Sequence, residues 1–427
     1  MTKPKMKLRH VFAVFVGNGL EFYNFLTFVF FAVYIGRAFF PSVNHDIEVL
    51  ASLATGWVGF VMRPVGAIVI GRMGDRIGRK PAMILSFALM GAGMIGIALT
   101  PSYARIGIAA PVLVVLFRLI QGFALGGEVG PTTAFMAEAA PPGRRGLYLS
   151  AQYATQDCAT LAAGIVGVIL ASHLNAQQLQ DWGWRVALGI GAVIIPFGFA
   201  LRRSLPETLH KVDDAALAPD ATTGSLAGRG ARPYLPIIVF GLMMLTAGTI
   251  GSYTTNYMTT YALDTLHLAA TVSFGLTVVN GALSVPLEIF SGWASDKFGR
   301  KPVMIVPGAL LLVAILPCFW VIDHFRNVWA LYGAQAVMVS LAAVSSVPTI
   351  VAITEQLPPR IRSGAVAMIY AFAISIFGGS TQFVIKGLLV WTHNPLAPAY
   401  YWTAAAVVGL IAMVLVAESA PVKTERR

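Results

Sequence analysis

Twelve apolar stretches run along the chain, each close to the twenty residues that an α-helix needs to cross a hydrocarbon core. They lie at about 11–35, 47–70, 82–100, 108–138, 147–172, 185–201, 235–262, 269–292, 303–322, 328–353, 364–390 and 399–417. A spanning segment must satisfy its own backbone hydrogen bonds, so stretches of this length specify helices. Composition agrees: with 57% hydrophobic and 11% charged residues, a soluble fold of this size would have more apolar side chains than its core could hide. Alternate connections, with the two terminal segments, carry 23 Lys and Arg, against three (Arg37, Arg105 and Arg326) in the other connections. By the positive-inside rule the chain is a multi-pass membrane protein with both termini cytoplasmic. The first stretch is too long for a signal peptide and no small-residue cleavage site follows, so it is expected to remain as a helix.

One segment breaks the rhythm. Between Ser204 and Pro233, Asp213, Asp214, Pro219, Asp220, Gly224, Gly228 and Gly230 make a polar, turn-rich run that cannot bury a face. It divides the chain into an N-terminal six-helix bundle (1–203), a cytoplasmic linker (204–234) and a C-terminal six-helix bundle (235–427). Internal repetition supports the division. Gly71-Arg-Met-Gly-Asp75-Arg76-Ile-Gly78-Arg79-Lys80-Pro81 returns 221 residues later as Gly292-Trp-Ala-Ser-Asp296-Lys297-Phe-Gly299-Arg300-Lys301-Pro302. Glu138, Pro141 and Pro142 return as Glu355, Pro358 and Pro359. Both members of each pair fall on the basic side, so the two bundles are expected to be pseudo-symmetric about an axis along the membrane normal.

The Gly71–Lys80 loop resembles the G-x-x-x-D-R-x-G-R-K signature of the major facilitator superfamily. Within it, Gly17-Asn18-Gly-Leu-Glu21-Phe-Tyr23-Asn24-Phe25, Met62-Arg63-Pro64-Val-Gly66, Arg118-Leu-Ile-Gln121-Gly122-Phe-Ala-Leu-Gly126-Gly127-Glu128 and Glu138-Ala-Ala-Pro141-Pro142-Gly143-Arg144-Arg145-Gly146 are similar to the metabolite:proton symporters. Pro101-Ser-Tyr103, Asp181-Trp-Gly-Trp184-Arg185 and Gly378-Gly379-Ser-Thr381 are similar to the citrate and tricarballylate branch. The resemblance implies a secondary active transporter, not an enzyme. It would sit in the plasma membrane, bacterial inner membrane included, and take up a small organic anion such as a di- or tricarboxylate together with protons. Uptake of an aromatic acid or a zwitterion, or efflux by proton antiport, are the alternatives. The resemblance further implies a cytoplasmic gate made of Asp75, Arg76, Arg79, Glu138 and Arg145, with Asp296, Arg300, Glu355 and Arg362 as the second set.

Charge is most costly near the bilayer centre and therefore marks function. At 1.5 Å per residue, Glu21, Arg118 and Asp157 each lie about 15 Å from a membrane face. Arg118 is assigned to a substrate carboxylate, which its fork of donors fits; the alternative is an ion pair with Glu21 or Asp157 that joins helices. Asp157 and Glu21 are the proton carriers to choose between, since an arginine and a cavity act on a carboxyl in opposite directions. Glu128 is a further proton candidate. Asn24, Gln121, Asn280, Gln382 and Lys386 complete the substrate set, with Asn256 at comparable depth. By the same count Arg63, Glu128 and Glu288 fall nearer the cytoplasmic face, and Lys386 falls near the opposite face, within snorkelling reach of water. All seven histidines lie in loops or at helix ends, so the usual proton switch is missing from the core.

Several classes are disfavoured by the residues. No phosphate-cradling G-x-x-x-x-G-K-[ST] occurs, so energy is expected from a proton gradient, with no cofactor and no metal. The two cysteines, Cys158 and Cys318, fall in apolar runs and suggest neither disulfide nor cluster. The basic excess sits in short loops between apolar runs, unlike the solvated face of a nucleic-acid binder. Gly164-Ile-Val-Gly167 lacks the proline expected of superfamily antiporters, which favours uptake. The expected partners are the anion, protons and the lipid bilayer, and the chain is taken as a monomer.

Overall fold

A computed structural model of the chain describes residues 19, 22, 23, 25–77, 79–126, 136, 140–192 and 234–424. Among these residues the fold is helical throughout, without strands. The principal helices are α1 (Ala32–Phe39), α2 (His45–Val61), α3 (Arg63–Arg76), α4 (Arg79–Leu99), α5 (Ala109–Gly126), α6 (Arg145–His173), α7 (Leu235–Thr260), α8 (Ala270–Phe298), α9 (Arg300–Phe325), α10 (Val328–Gln356), α11 (Pro359–Phe372), α12 (Gly379–Thr392) and α13 (Ala397–Leu415). Nine spans in the described residues are long and apolar enough to cross a membrane, and Ile84–Leu99 is a shorter apolar helix. Nine of the twelve expected stretches coincide with helices; those at 11–35, 108–138 and 185–201 are described only in part. The expected linker falls on 204–233, outside the described residues.

Local chemistry sets several boundaries. Asn44 caps α2 by accepting a hydrogen bond from Asp46 N, and Asp46 and Glu48 place negative charge in the first turn, where the helix dipole favours it. The apolar stretch at 47–70 breaks at Met62 because Pro64 supplies no amide to the turn before it, so α3 starts afresh. Asn327 caps α10 in the same way as Asn44 caps α2. Two helices loosen into π turns, α7 at Tyr261–Thr265 and the α11–α12 span at Ala373–Gly378; such turns shift the register of the side chains that follow.

The outer surface is apolar, as a bilayer solvent requires. α9 exposes Val306, Leu310, Val313 and Trp320. Inside, small residues let backbones touch. A Cβ on Gly122 would come 1.6 Å from Gly59 O, and one on Gly126 would come 1.9 Å from Arg63 O, so α5 lies directly against α2 and α3. A longer seam joins α6 to α8. A Cβ on Gly292 would lie 2.5 Å from Gly146 O, one on Gly281 2.6 Å from Leu161 N, and one on Gly164 2.8 Å from Val278 N. The seam thus runs nearly the full length of both helices and sets the depth at which their side chains meet.

Candidate functional site

A central cavity of about 170 Å³ opens beside this seam. Asp157 of α6 and Glu288 of α8 both line it, with their carboxyls facing each other at close range. Asp157 accepts from Thr160 Oγ1 at 3.3 Å, whereas Glu288 Oε2 has no partner. A polar string leads away from the pair: Ser284 Oγ donates to Asn280 Oδ1 at 3.4 Å, and Asn280 Nδ2 donates to Asn256 Oδ1 of α7 at 2.7 Å. Tyr153, Tyr253, Tyr370 and Trp402 supply aromatic wall.

Glu288 corrects the depth count. The sequence places it near the cytoplasmic face because its apolar run ends at about 292; α8 continues to Phe298. Ten residues from that end is about 15 Å, the depth of Asp157. The added residues include Ser295, Asp296 and Lys297, too polar to be read as membrane-crossing, which hides Glu288 as a partner of Asp157.

Arg118 is fully buried but does not reach this cavity. Its Nη1 donates to Gln121 Oε1 at 3.0 Å and its Nη2 to Gly56 O at 3.2 Å. Phe25 and Phe28 cover it, with centroids 4.2 and 4.3 Å from Cζ. The expected alternative, an ion pair with Asp157, is not formed. Arg63 lies in the same aromatic layer, 4.2 Å from the Phe60 centroid and 4.8 Å from that of Phe25. Arg63 Nε and Nη2 and Arg118 Nε have no hydrogen-bond partner. Buried donors without acceptors are costly and mark a site that a ligand can complete. Phe60 packs edge-on against Tyr253 at 5.5 Å, so one aromatic layer separates the guanidiniums from the cavity. Gln382 lines a smaller cavity with Phe60 and Tyr253 and donates to Tyr253 O at 3.4 Å.

Lys386 does not snorkel. It is buried, with Nζ 2.5 Å from Asp46 Oδ1 and 2.7 Å from Asp264 Oδ2. Two carboxylates, Asp264 buried and Asp46 half-exposed, hold it back from the rim, and the π turn at Tyr261–Thr265 is what presents Asp264. Nothing in the spacing of Asp46, Asp264 and Lys386 announces this cluster, since the three come from distant helices.

At the basic end the structure brings together Arg145, Asp296, Arg300 and Glu355. Arg300 Nη1 donates to Asp296 Oδ1 at 2.7 Å, while its Nε and Nη2 fork onto the Glu355 carboxylate at 3.2 and 3.0 Å. Asp296 in turn accepts from Gly146 N and Leu147 N, at 2.8 and 2.9 Å, and so caps α6 from across the seam. Arg145 Nη1 stands 3.8 Å from Glu355 Oε1. Arg362 is buried and donates to Leu357 O. Glu418, which the sequence did not single out, accepts from Arg300 N, Lys301 N, Ser419 N and Ala420 N. Burial pushes its carboxyl up, but these four amides outweigh that and hold it below the usual range. Gly299, at φ +105°, lets the chain turn tightly here, and a Cβ would come 2.9 Å from Glu418 Oε2. Of the remaining expected residues, Glu21, Asn24, Glu128 and Glu138 lie outside the described residues. Asp75 and Arg76 end α3 and Arg79 begins α4, with side chains outside the described set.

The Major Facilitator Superfamily model matches residues 14–380. The chain is similar to the citrate-proton symporter of Klebsiella pneumoniae, 33% identical over 93% of this chain and 88% of that one. It is also similar to a putative proline/betaine transporter of Staphylococcus aureus, 31% identical over 96% of this chain and 88% of that one. Among solved structures, a D-xylose-proton symporter superposes with a TM-score of 0.77 at 17% identity, covering 97% of this chain and 98% of that one.

Proposed function

Because the chain belongs to the major facilitator superfamily, and is therefore a membrane transporter and not an enzyme, we propose that it is a proton-coupled symporter. Its cargo in this reading is a small organic anion, a di- or tricarboxylate such as citrate, carried by alternating access between the bundles 1–203 and 235–427. The basic end faces the cytoplasm, with both termini, and the membrane is a bacterial inner membrane.

The observation that carries the reading is the carboxyl pair Asp157–Glu288, which spans the two bundles across the cavity. Two carboxyls this close can hold one proton between them; without it they are two anions facing each other. Protonation therefore joins α6 to α8 and removes one of the two negative charges that would repel an incoming anion. Arg63 and Arg118, with three donor nitrogens still free of acceptors, are the anion's counterpart once Phe60 or Tyr253 moves aside. A planar fork suits a carboxylate. The similarity to a citrate-proton symporter supports both halves of this scheme.

A second reading rests on the cavity wall itself, whose described residues include two acids and several aromatic rings but no cation. Such a wall fits an ammonium group through carboxylate and ring contacts, and hence a zwitterion.

The purified transporter in proteoliposomes, offered citrate, proline and betaine with and without an inward proton gradient, separates the two. Citrate accumulation that collapses with the gradient supports the first reading; accumulation of betaine or proline alone replaces it with the second. Asp157→Asn and Glu288→Gln should each lose uphill accumulation yet keep exchange of substrate down its gradient. If both still concentrate substrate, the proton travels through another group.

A further inference from the structure

The end of the molecule opposite the basic gate holds five charged or titratable side chains in one cluster. Lys386 of α12 contacts Asp46 of α2 and Asp264 at the end of α7. His45 Nε2 stands 3.1 Å from Asp264 Oδ1, out of line for a hydrogen bond, and His45 Nδ1 is 3.1 Å from Glu48 Oε2. Tyr257, about two turns before Asp264 along the chain, has its hydroxyl unpartnered. Membership divides sharply by burial. The side chains of Lys386 and Asp264 are 5% and 1% exposed, while those of Asp46 and His45 are 42% and 38% exposed.

We propose that this cluster is the outer gate of the transport cycle, built as a buried pair inside one bundle that a solvent-exposed aspartate of the other bundle closes. Lys386 and Asp264 both belong to the second bundle, so their charges neutralise each other whichever way the gate stands. Burying either alone would be prohibitive. Asp46 and His45 belong to the first bundle and reach across. The bond that must break on opening, Lys386 to Asp46, is thus the weak, half-exposed one, of the kind that contributes little and can be remade every turnover. α2 is shaped for the task, since its N-cap fixes the first turn that carries Asp46. Two further contacts hold the same helices together below the gate: Trp57 Nε1 donates to Ser375 O at 3.1 Å, and Gly379 admits Phe60, where a Cβ would come within 2.6 Å of its ring.

The inference rests on the alternating-access part of the proposed function and not on the identity of the cargo. It makes predictions of opposite sign for the two aspartates. Losing Asp46 frees the gate. Losing Asp264 leaves Lys386 with Asp46 as its only carboxylate contact, so opening strands a buried cation and becomes harder.

The test uses the full chain with Cys158 and Cys318 replaced by serine and Ser252→Cys, which lines the central cavity, as the reporter. Right-side-out vesicles are treated from outside with a membrane-impermeant maleimide. Asp46→Asn, at a half-exposed position that should fold normally, should label roughly threefold faster than its parent, the size of one exposed ion pair. Asp264→Asn should label more slowly than its parent. Parental labelling in Asp46→Asn, or acceleration in Asp264→Asn, would overturn the gate. Because labelling reports access alone, failure to accumulate citrate alongside a faster Asp46→Asn would remove the anion reading and leave the gate standing.

Discussion

The two ends of the molecule close by different means. At the basic end backbone amides hold two of the carboxylates: Asp296 takes two amides of α6 besides the Arg300 side chain, and Glu418 takes four amides, two of them at the start of α9. At the opposite end Asp46 and Asp264 meet Lys386 through side chains, and the exposed partners are those that cross. A carboxylate held by backbone cannot swing with a rotamer. One end is therefore a clamp whose opening uncaps a helix, while the other is a latch that opens by moving a side chain.

The comparison is broken most severely at Arg300, whose side chain is fully buried between two acids. Arg300→Ala should destabilise the detergent-solubilised protein by about 3–5 kcal/mol, the cost of leaving buried charge uncompensated, and Arg300→Lys should recover only part of that because an ammonium cannot fork. Thermal unfolding monitored by tryptophan fluorescence measures both. A loss under about 1 kcal/mol for Arg300→Ala, comparable to that of an exposed ion pair, would make the two ends alike.

Next in size is Asp296→Asn, which weakens a helix cap worth about 1–2 kcal/mol. A clamp biases populations and does not touch cargo, so initial-rate transport should slow while the half-saturating substrate concentration stays within a few fold. A large rise in that concentration with an unchanged maximal rate would place Asp296 in the binding site instead.

The smallest effect is at Glu418 and depends on pH. Its folded carboxyl is held below the ordinary glutamate value of about 4.3. The stability it contributes is complete above that value and disappears as pH falls through the folded one. Melting curves of the parent and Glu418→Gln should therefore differ at pH 7, by about 1 kcal/mol or less after solvent screening, and draw together in more acid medium. A gap that widens on acidification would reverse the sign and dismiss the amide cradle.

Much of this was written in the chain. Apolar length places most of the helices, and the repeated Asp–Gly–Arg motif points to Asp296 and Arg300 before any coordinates. Depth alone singles out Asp157 and Arg118. What the sequence hides are relations between helices that share no spacing. Glu288 is invisible as a partner because α8 runs past the end of its apolar stretch. Asp46, Asp264 and Lys386 lie more than a hundred residues apart, and the two aspartates look like ordinary helix-end acids. Glu418 follows the last long helix, where a carboxyl gives no hint that it caps the start of another. The walling-off of Arg118 by Phe25 and Phe28 is equally silent, since aromatic residues on a membrane helix read as lipid-facing or core with equal ease.

The glycine seam between α6 and α8 works as a row of fulcrums. At each crossing the two backbones are near contact, so one added methyl is a wedge with no soft side chain to absorb it. A wedge at Gly292 would pry the helices apart at the basic end, and one at Gly164 would do so at the far end, with Gly281 between them. Three single alanine substitutions would then tilt one bundle against the other by different lever arms. A transporter propped open toward a chosen side in this way offers a fixed shape for raising conformation-specific binders.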